Sequence, residues 1–556
     1  MPCSSFMVVK SLTNMKRWYW WNLFESSPLS LLLLVILVLS YPSEADAQTA
    51  NSPPKLNLQY TLNIDRPSEH LFEVTIQITG NTENQLKVAL PAWSPGRYVI
   101  FDFAKNVQDF EASTLAPPVK PLKWHKLDKQ TWQIECAGVS SLEIHYNIFG
   151  NDLSGTFSQL DASHANYNGG SVFMYLVDHK QDPLELLLKY PSEWQIISGA
   201  TTSTTQTQCH FDNYDLLVDT PTEIGMLDIG SFTLAERKYR VAVHNLNNSY
   251  DKTKLINALQ HIVEIETAIW GTPDFEHYTF LIHLVPISIE TDGMEHLNST
   301  QIIENNVDDA IVTAAHEFFH LWNVKRLRPK ELGPWDYSHE VYTQSLWISE
   351  GLTNYYGNLC LTRAGITSPQ EYYQTLSDQI TYVQKRNGRQ TMSLEQASFD
   401  TWLFLAAPRT QLTNQENTTI SYYAKGELVG MMLDLEIRAC TNNSKSLDDV
   451  FRYMYQHYYL DSIAPTYYLK GTGFDDNDFL QAVNKITASD FRPFFQDYIS
   501  GTKELNYNLS LKAAGLTLLL HNGSYTIKEL PNATKAEINL RNSWLNRTTR
   551  TARVNH

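Results

Sequence analysis

His316-Glu-Phe-Phe-His320 sets two imidazoles four residues apart with a carboxylate beside the first. On a helix, residues four apart share a face, so His316 and His320 point at one spot while Glu317 projects beside it. Zinc favours imidazole nitrogen, and such a pair fills two of its four tetrahedral positions. A catalytic site then needs a third protein ligand from elsewhere. The fourth position stays open for water, whose pKa the metal lowers toward neutrality, and Glu317 is placed to act as general base. The chemistry this pattern points to is metal-assisted hydrolysis, with one Zn2+ per chain as the expected cofactor.

Two acids downstream compete for the third position. Glu340 lies in a polar, loop-like stretch, Trp335-Asp-Tyr-Ser-His-Glu-Val-Tyr. Glu350 lies in Leu346-Trp-Ile-Ser-Glu-Gly-Leu-Thr-Asn-Tyr-Tyr, an apolar run that reads as a second helix continuing past Leu361 and able to pack on the first. Context favours Glu350, although spacing alone leaves Glu340 open.

These residues need elements to hold them. The first metal helix is expected from Asp308 to about Arg326, with the Arg328-Pro329 step as a stop. Upstream, from Leu56 to about Phe232, short alternating runs such as Leu71-Phe-Glu-Val-Thr-Ile-Gln-Ile are separated by Gly, Asn, Asp and Pro. They read as an all-β domain of antiparallel strands. At about Asp251 the period changes: Leu255, Leu259, Ile262 and Ile269 line one helix face, followed by a strand-like run from Tyr278 to Val285. Beyond Asn306 the chain is mainly helical, with further starts at Ser446 and Asp475 and an end at Gly365. The 41 residues after Gly515 read as a strand or two and a loose tail.

Composition sets the outer limits. With 556 residues and 43% hydrophobic content the chain buries more than one core. A formal charge of -17 argues against nucleic acid and anionic membrane as partners. Residues 1–47 read as a secretory leader: Lys10, Lys16 and Arg17, then an apolar stretch from Leu29 to Leu39, then Ala45-Asp46-Ala47. Secretion or a bacterial periplasm follows, with membrane attachment only if the leader is retained. Cys136, Cys209, Cys360 and Cys440 show no metal-cluster spacing, and an oxidising compartment would permit one or two disulfides.

HEFFHLWNVKRLRP followed by LWISEGLTNYY resembles the glycyl aminopeptidase family, gluzincins related at the active site to aminopeptidase N. Pro91-Ala-Trp-Ser-Pro-Gly-Arg-Tyr with Phe103-Ala-Lys-Asn-Val resembles its N-terminal β-domain signature. Gly293-Met-Glu-His-Leu-Asn-Ser-Thr resembles its substrate strand, and Ser421-Tyr-Tyr-Ala-Lys-Gly its active-site tyrosine segment. The resemblance runs from about Leu56 to Leu516. It implies a multidomain protein, with a signal peptide at 1–47, an N-terminal all-β domain at 48–235, and a thermolysin-like α+β, mainly helical catalytic domain at 236–515. A short tail at 516–556 is too small for the C-terminal PDZ domain common in the family, which is expected to be missing or truncated.

The same resemblance makes Glu350 the third metal ligand, the place taken by His339 if the shorter aminopeptidase N interval applied. It gives Glu295 the role of holding a substrate's free α-amino group, with Gly293 and Met294 offering backbone along the peptide. A fixed carboxylate against an ammonium ion explains removal of terminal residues, since only a chain terminus carries that charge at the scissile end. Tyr423 is implied as oxyanion donor, with Tyr422 the adjacent alternative.

The expected partners are peptides with a free N-terminus, and the expected activity is release of small first residues, glycine or alanine. A zinc endopeptidase lacking any need for Glu295, or an inactive peptide-binding scaffold, are the rival readings. Asn323 and Asn354 are candidates for orienting the metal ligands. Arg326 and Arg328 are expected to close the helix end rather than meet substrate.

Overall fold

A computed structural model of the protein describes residues 55–200, 207–246, 249–404, 414–462 and 470–545. The expected leader, 1–47, lies outside the described residues, as do 546–556.

Alternation governs the first part of the chain. Strand Leu71–Thr79 buries Phe72, Val74, Ile76 and Ile78 on one face, and Ser141–Phe149 answers with Leu142, Ile144, Tyr146 and Ile148 as direct cross-strand partners. These lie in a six-stranded sheet running Gln208–Phe211, Leu184–Lys189, Asn57–Asn63, Leu71–Thr79, Ser141–Phe149, Val107–Thr114. The expectation of antiparallel strands needs one correction, because Asn57–Asn63 and Leu184–Lys189 pair in parallel. Two four-stranded sheets accompany it. One contains Gln85–Ala89 and Thr131–Glu135, and the other joins Gln195–Ser198, Thr222–Gly225, His164–Tyr167 and Gln159–Leu160.

A five-stranded central sheet follows, in the order Asp228–Leu234, Arg237–Asn245, His277–Leu284, Ser299–Glu304, Asp292–Glu295. Helix Lys252–Trp270 crosses between two of its parallel strands, started by the Asp251 side chain accepting from the Lys254 N–H. Leu255, Leu259, Ile262 and Ile269 are fully buried on its inner face. The strand Asp292–Glu295 forms one edge of this sheet, paired on one side only, with Ser299–Glu304.

The remainder is helical, and its local signals hold. Ser446 and Asp475 both cap helices through reciprocal bonds with the acid three residues on. Helix Leu352–Arg363 ends before Gly365, whose φ of 72° lies in the left-handed region. Past Gly515 the chain is packed up to Leu545 rather than loose. Strands Leu516–His521 and Ser524–Glu529 make a hairpin, and helix Lys535–Leu545 buries Trp544, whose indole donates to the Tyr355 hydroxyl at 2.8 Å. The architecture is an N-terminal β-rich region followed by a helical C-terminal body. Among the described residues all four cysteines are free, so neither permitted disulfide is present. No described helix is long and apolar enough to cross a membrane.

Candidate active site

The HEFFH helix is Val307–Phe319, opened by the Asn306 side chain accepting from the Asp309 N–H. It ends at Phe319, seven residues short of the expected Arg326, and beyond it the backbone bonds mix three-, four- and five-residue spacings. In this stretch the Asn323 side-chain amide donates to the carbonyls of Ile348 (2.8 Å) and Ser349 (3.3 Å) and to the Thr353 hydroxyl (3.0 Å). The Asn323 carbonyl then accepts from His320 Nδ1 at 2.6 Å. That bond fixes the ring tautomer and leaves Nε2 free to face the site.

Glu350 sits in a wide π-type turn, Trp347–Gly351, that leads into helix Leu352–Arg363. Such turns re-aim side chains within a helix. Helix Tyr422–Cys440 crosses this turn in close contact: a Cβ on Gly351 would lie 2.6 Å from both the Gly426 Cα and the Tyr422 carbonyl oxygen. Two glycines face to face bring the N-terminal turn of that helix, with Tyr423, alongside Glu350.

The result is convergence. Glu350 Oε2 lies 3.3 Å from His320 Nε2 and 3.6 Å from His316 Nε2, and the two Nε2 atoms are 2.9 Å apart. Burial alone would push the Glu350 carboxyl up, but the imidazoles of His320 and His316 outweigh it and hold it at about 2. In turn Glu350 raises His320 to about 10 against the opposing effect of burial. The pocket therefore favours a positive charge between these side chains, and two imidazoles with one carboxylate are the donor set of a divalent metal site. These residues fit a bound metal ion.

Around them lies a cavity of about 320 Å³ lined by Arg97, Gly293, Glu295, Glu317 and Tyr423 as well as the three converging side chains. Glu317, Glu295 and His320 bring one ligating atom each within 4.8 Å of the others. Burial pushes the Glu317 carboxyl well above its usual range, aided by Glu295 and Glu350 and opposed by His320 and Arg97. The Tyr423 ring lies 6.5 Å from that of His316. Tyr422 stacks on Tyr423 at 4.8 Å between ring centroids and does not line the cavity; its hydroxyl is 3.1 Å from that of Thr401. Met294 is buried in the same edge strand, with its sulfur toward Gly96.

Other residues singled out from sequence go elsewhere. Glu340 and His339 are exposed and line no part of the cavity, whereas Glu350 lines it. Asn354 is half-buried and outside the cavity lining, whereas Asn323 braces both His320 and the turn of Glu350. Arg326 is pinned by Asp274 at 2.7 Å and by the carbonyls of Leu297 and Leu321, and Arg328 donates to the carbonyls of Lys470 and Gly471.

Arg97 was missed. Its guanidinium pairs with Asp292 and donates to the Gly293 carbonyl at 3.1 Å, while Nε donates to the Thr156 hydroxyl at 2.9 Å. The signal lay in the Pro-Gly-Arg-Tyr turn, whose Gly96 takes φ of 87°. A Cβ there would meet the Glu295 carboxylate at 2.9 Å. A glycine-permitted turn next to a cation marks a site-forming loop, but the partner strand is remote in sequence.

Comparison with known proteins agrees with this geometry. Residues 59–226 match the peptidase M61 N-terminal domain and residues 309–429 match the M61 glycyl aminopeptidase domain. A crystal structure of an aminopeptidase N family protein from Idiomarina loihiensis superposes with a TM-score of 0.76 at 26% identity, covering 83% of this chain and 79% of that one. Two structures of leukotriene A4 hydrolase from yeast share only 11% and 12% identity at a TM-score of 0.42. One is in complex with bestatin and the other is native, from Saccharomyces cerevisiae, and they cover 82% and 85% of this chain and 70% of each of theirs. No curated protein sequence matches the chain. With both of its domain models matched in order, and a solved member of the aminopeptidase N family sharing the fold, the chain belongs to the M61 glycyl aminopeptidase family of metallopeptidases.

Proposed function

We propose that the chain is a secreted or periplasmic aminopeptidase that uses one catalytic zinc ion to release small N-terminal residues, glycine or alanine first, from peptides. The observation that carries the reading is the convergence of His316, His320 and Glu350 beside Glu317, with a further buried carboxylate, Glu295, in the same cavity. His316, His320 and Glu350 would hold the metal. When bound, it supplies Lewis-acid polarisation of the scissile carbonyl and acidifies water.

The chain's own residues supply the rest. Glu295 pairs with the substrate's α-ammonium group, which fixes the first peptide bond over the site and makes the cut terminal. The edge strand at Gly293 and Met294 offers backbone groups along the peptide. Glu317 takes the proton of the attacking water and passes it to the departing amine, so one carboxyl serves both steps. The Tyr423 hydroxyl donates to the oxyanion that develops on the substrate carbonyl. Secretion rests on the leader pattern of residues 1–47.

The test is hydrolysis of glycyl- and alanyl-arylamides by purified protein, before and after chelation, with Glu317→Gln and Glu295→Ala alongside. Activity lost on chelation, restored by zinc and absent in both variants supports the reading. Internal cleavage of long peptides that survives Glu295→Ala would make the protein an endopeptidase instead, and an inactive but zinc-loaded wild type would make it a scaffold.

A further inference from the structure

A second buried group of ligating side chains shares no residue with the cavity of His316 and plays no part in the chemistry above. His164, Glu223, His244 and His283 each bring one nitrogen or oxygen within 4.8 Å of the others. All four side chains are buried. They come from two sheets. His164 and Glu223 lie on adjacent strands of the small sheet, and His244 and His283 are direct partners on adjacent parallel strands of the central sheet.

We propose that His164, Glu223, His244 and His283 form a second metal site, which binds one divalent transition-metal ion of the zinc class and ties the small sheet to the central sheet. Glu223 is already shared, with Oε1 2.6 Å from His164 Nδ1 and Oε2 3.2 Å from His283 Nε2. The third imidazole is stacked on His164 at 3.8 Å between ring centroids, and its Nδ1 is buried with no hydrogen-bond partner. A protein interior rarely stacks imidazoles around one carboxylate and leaves such a nitrogen unengaged, since an unsatisfied buried polar group costs about 1–3 kcal/mol.

The surroundings are also those of a metal site. Outer polar groups orient the ligands: Asn166 donates to Glu223 Oε2 at 2.9 Å, Gln301 donates to Asn166 at 2.8 Å, and the Gln159 side-chain oxygen is 3.0 Å from His164 Nε2. Every ligand sits on a strand rather than a loop, which limits how far the set can move. Four protein donors leave no open position, so the ion's role is structural. Its reach extends to the edge strand of the active site: His283 faces Ile303 on the next strand, and Ile303 faces Asp292 on the one after, beside Gly293. The expectation of one zinc per chain then covers only the catalytic ion.

The experiment removes the HEFFH ligands first. His316→Ala/His320→Ala protein, equilibrated with zinc chloride and freed of excess by gel filtration, is expected to keep about one zinc per chain by elemental analysis. Its melting temperature should fall on chelation and recover with zinc but not magnesium. Adding His244→Gln should remove both the ion and the zinc-dependent shift. His244→Gln alone should keep about one zinc and measurable arylamide hydrolysis. Cobalt(II) in the double variant should give the visible bands of a four-coordinate site. The proposal is overturned if the double variant binds no zinc, or if His244→Gln in that background leaves the ion in place. Should the His244 variants fail to fold, the metal count of the double variant decides alone. The metal count and melting shift of the double variant do not depend on the aminopeptidase reading, which stands or falls on wild-type turnover.

Discussion

A methyl group on Gly293 would fall 2.4 Å from Oε1 of Glu317 and 2.9 Å from the Thr313 methyl group. The edge strand and the HEFFH helix thus touch through a missing side chain, and the Glu317 carboxylate occupies the room that a Cβ would need.

Gly293→Ala should therefore displace the Glu317 carboxylate, while the three atoms nearest to that Cβ belong to Glu317 and Thr313 and none to His316, His320 or Glu350. A shift of roughly 1 Å in a catalytic group costs on the order of 10²-fold in rate. Arylamide kinetics should show that loss in kcat, with bound metal and folded secondary structure retained. Full activity in this variant would mean that the base acts from another position.

Arg97 joins two parts of the molecule 195 residues apart, through Asp292, and also holds the Gly293 carbonyl. Arg97→Lys keeps the charge but loses the planar fork, whose Nε holds Thr156 while one terminal nitrogen reaches both Asp292 and the Gly293 carbonyl. We expect kcat/KM to fall roughly ten- to a hundredfold, as one charge-assisted hydrogen bond is worth about 1.5–3 kcal/mol. The loss should appear mainly in KM if the strand positions substrate, and an unchanged KM would limit Arg97 to holding the fold.

The difference between what was legible and what was not follows from the range of the interactions. His316, Glu317 and His320 were readable because a helix places them by local spacing alone. Glu350 was readable from its apolar context, but the π-type turn that aims it was not, since the turn answers to Asn323 and to the glycine contact with the crossing helix. Leu255, Leu259, Ile262 and Ile269 formed a buried face as their period required. The parallel pairing of Asn57–Asn63 with Leu184–Lys189 joins distant segments and leaves no local trace. His164, Glu223, His244 and His283 escaped notice for the same reason, being brought together only by strand register.

Glu427 gives a pH prediction away from the metal ligands. It is fully buried, accepts one bond from Asn358 at 2.8 Å, and has its other oxygen unpartnered. Burial raises its pKa from 4.5 to about 7. In the range between those values the unfolded chain releases this proton while the folded chain keeps it. This group's contribution to stability therefore falls as pH rises from 4.5 to about 7, and above that the folded state carries a cost of about 3 kcal/mol. Glu427→Gln, which can still accept from Asn358, should melt higher than wild type at about pH 8.5 and no higher at about pH 4. Equal gains at both values would show that folding does not raise this carboxyl's pKa.

Trp544 tests whether the last helix belongs to the catalytic body. Its indole donates to the Tyr355 hydroxyl, which donates in turn to Asp434 at 2.7 Å, and the Trp544 carbonyl accepts from Arg363 at 3.1 Å. Tyr355 and Arg363 both lie on the helix that continues from the Glu350 turn, so the terminal helix braces that element from behind. Trp544→Ala removes a fully buried side chain and leaves the Tyr355 hydroxyl without its donor, for which about 3–5 kcal/mol of lost stability is expected. Denaturant unfolding should show this as a lower midpoint with an unchanged slope. Trp544→Phe restores much of the volume but not the N–H, so it should recover part of the loss. A midpoint within experimental error of wild type for the alanine variant would mean that helix Lys535–Leu545 contributes nothing to the fold it covers.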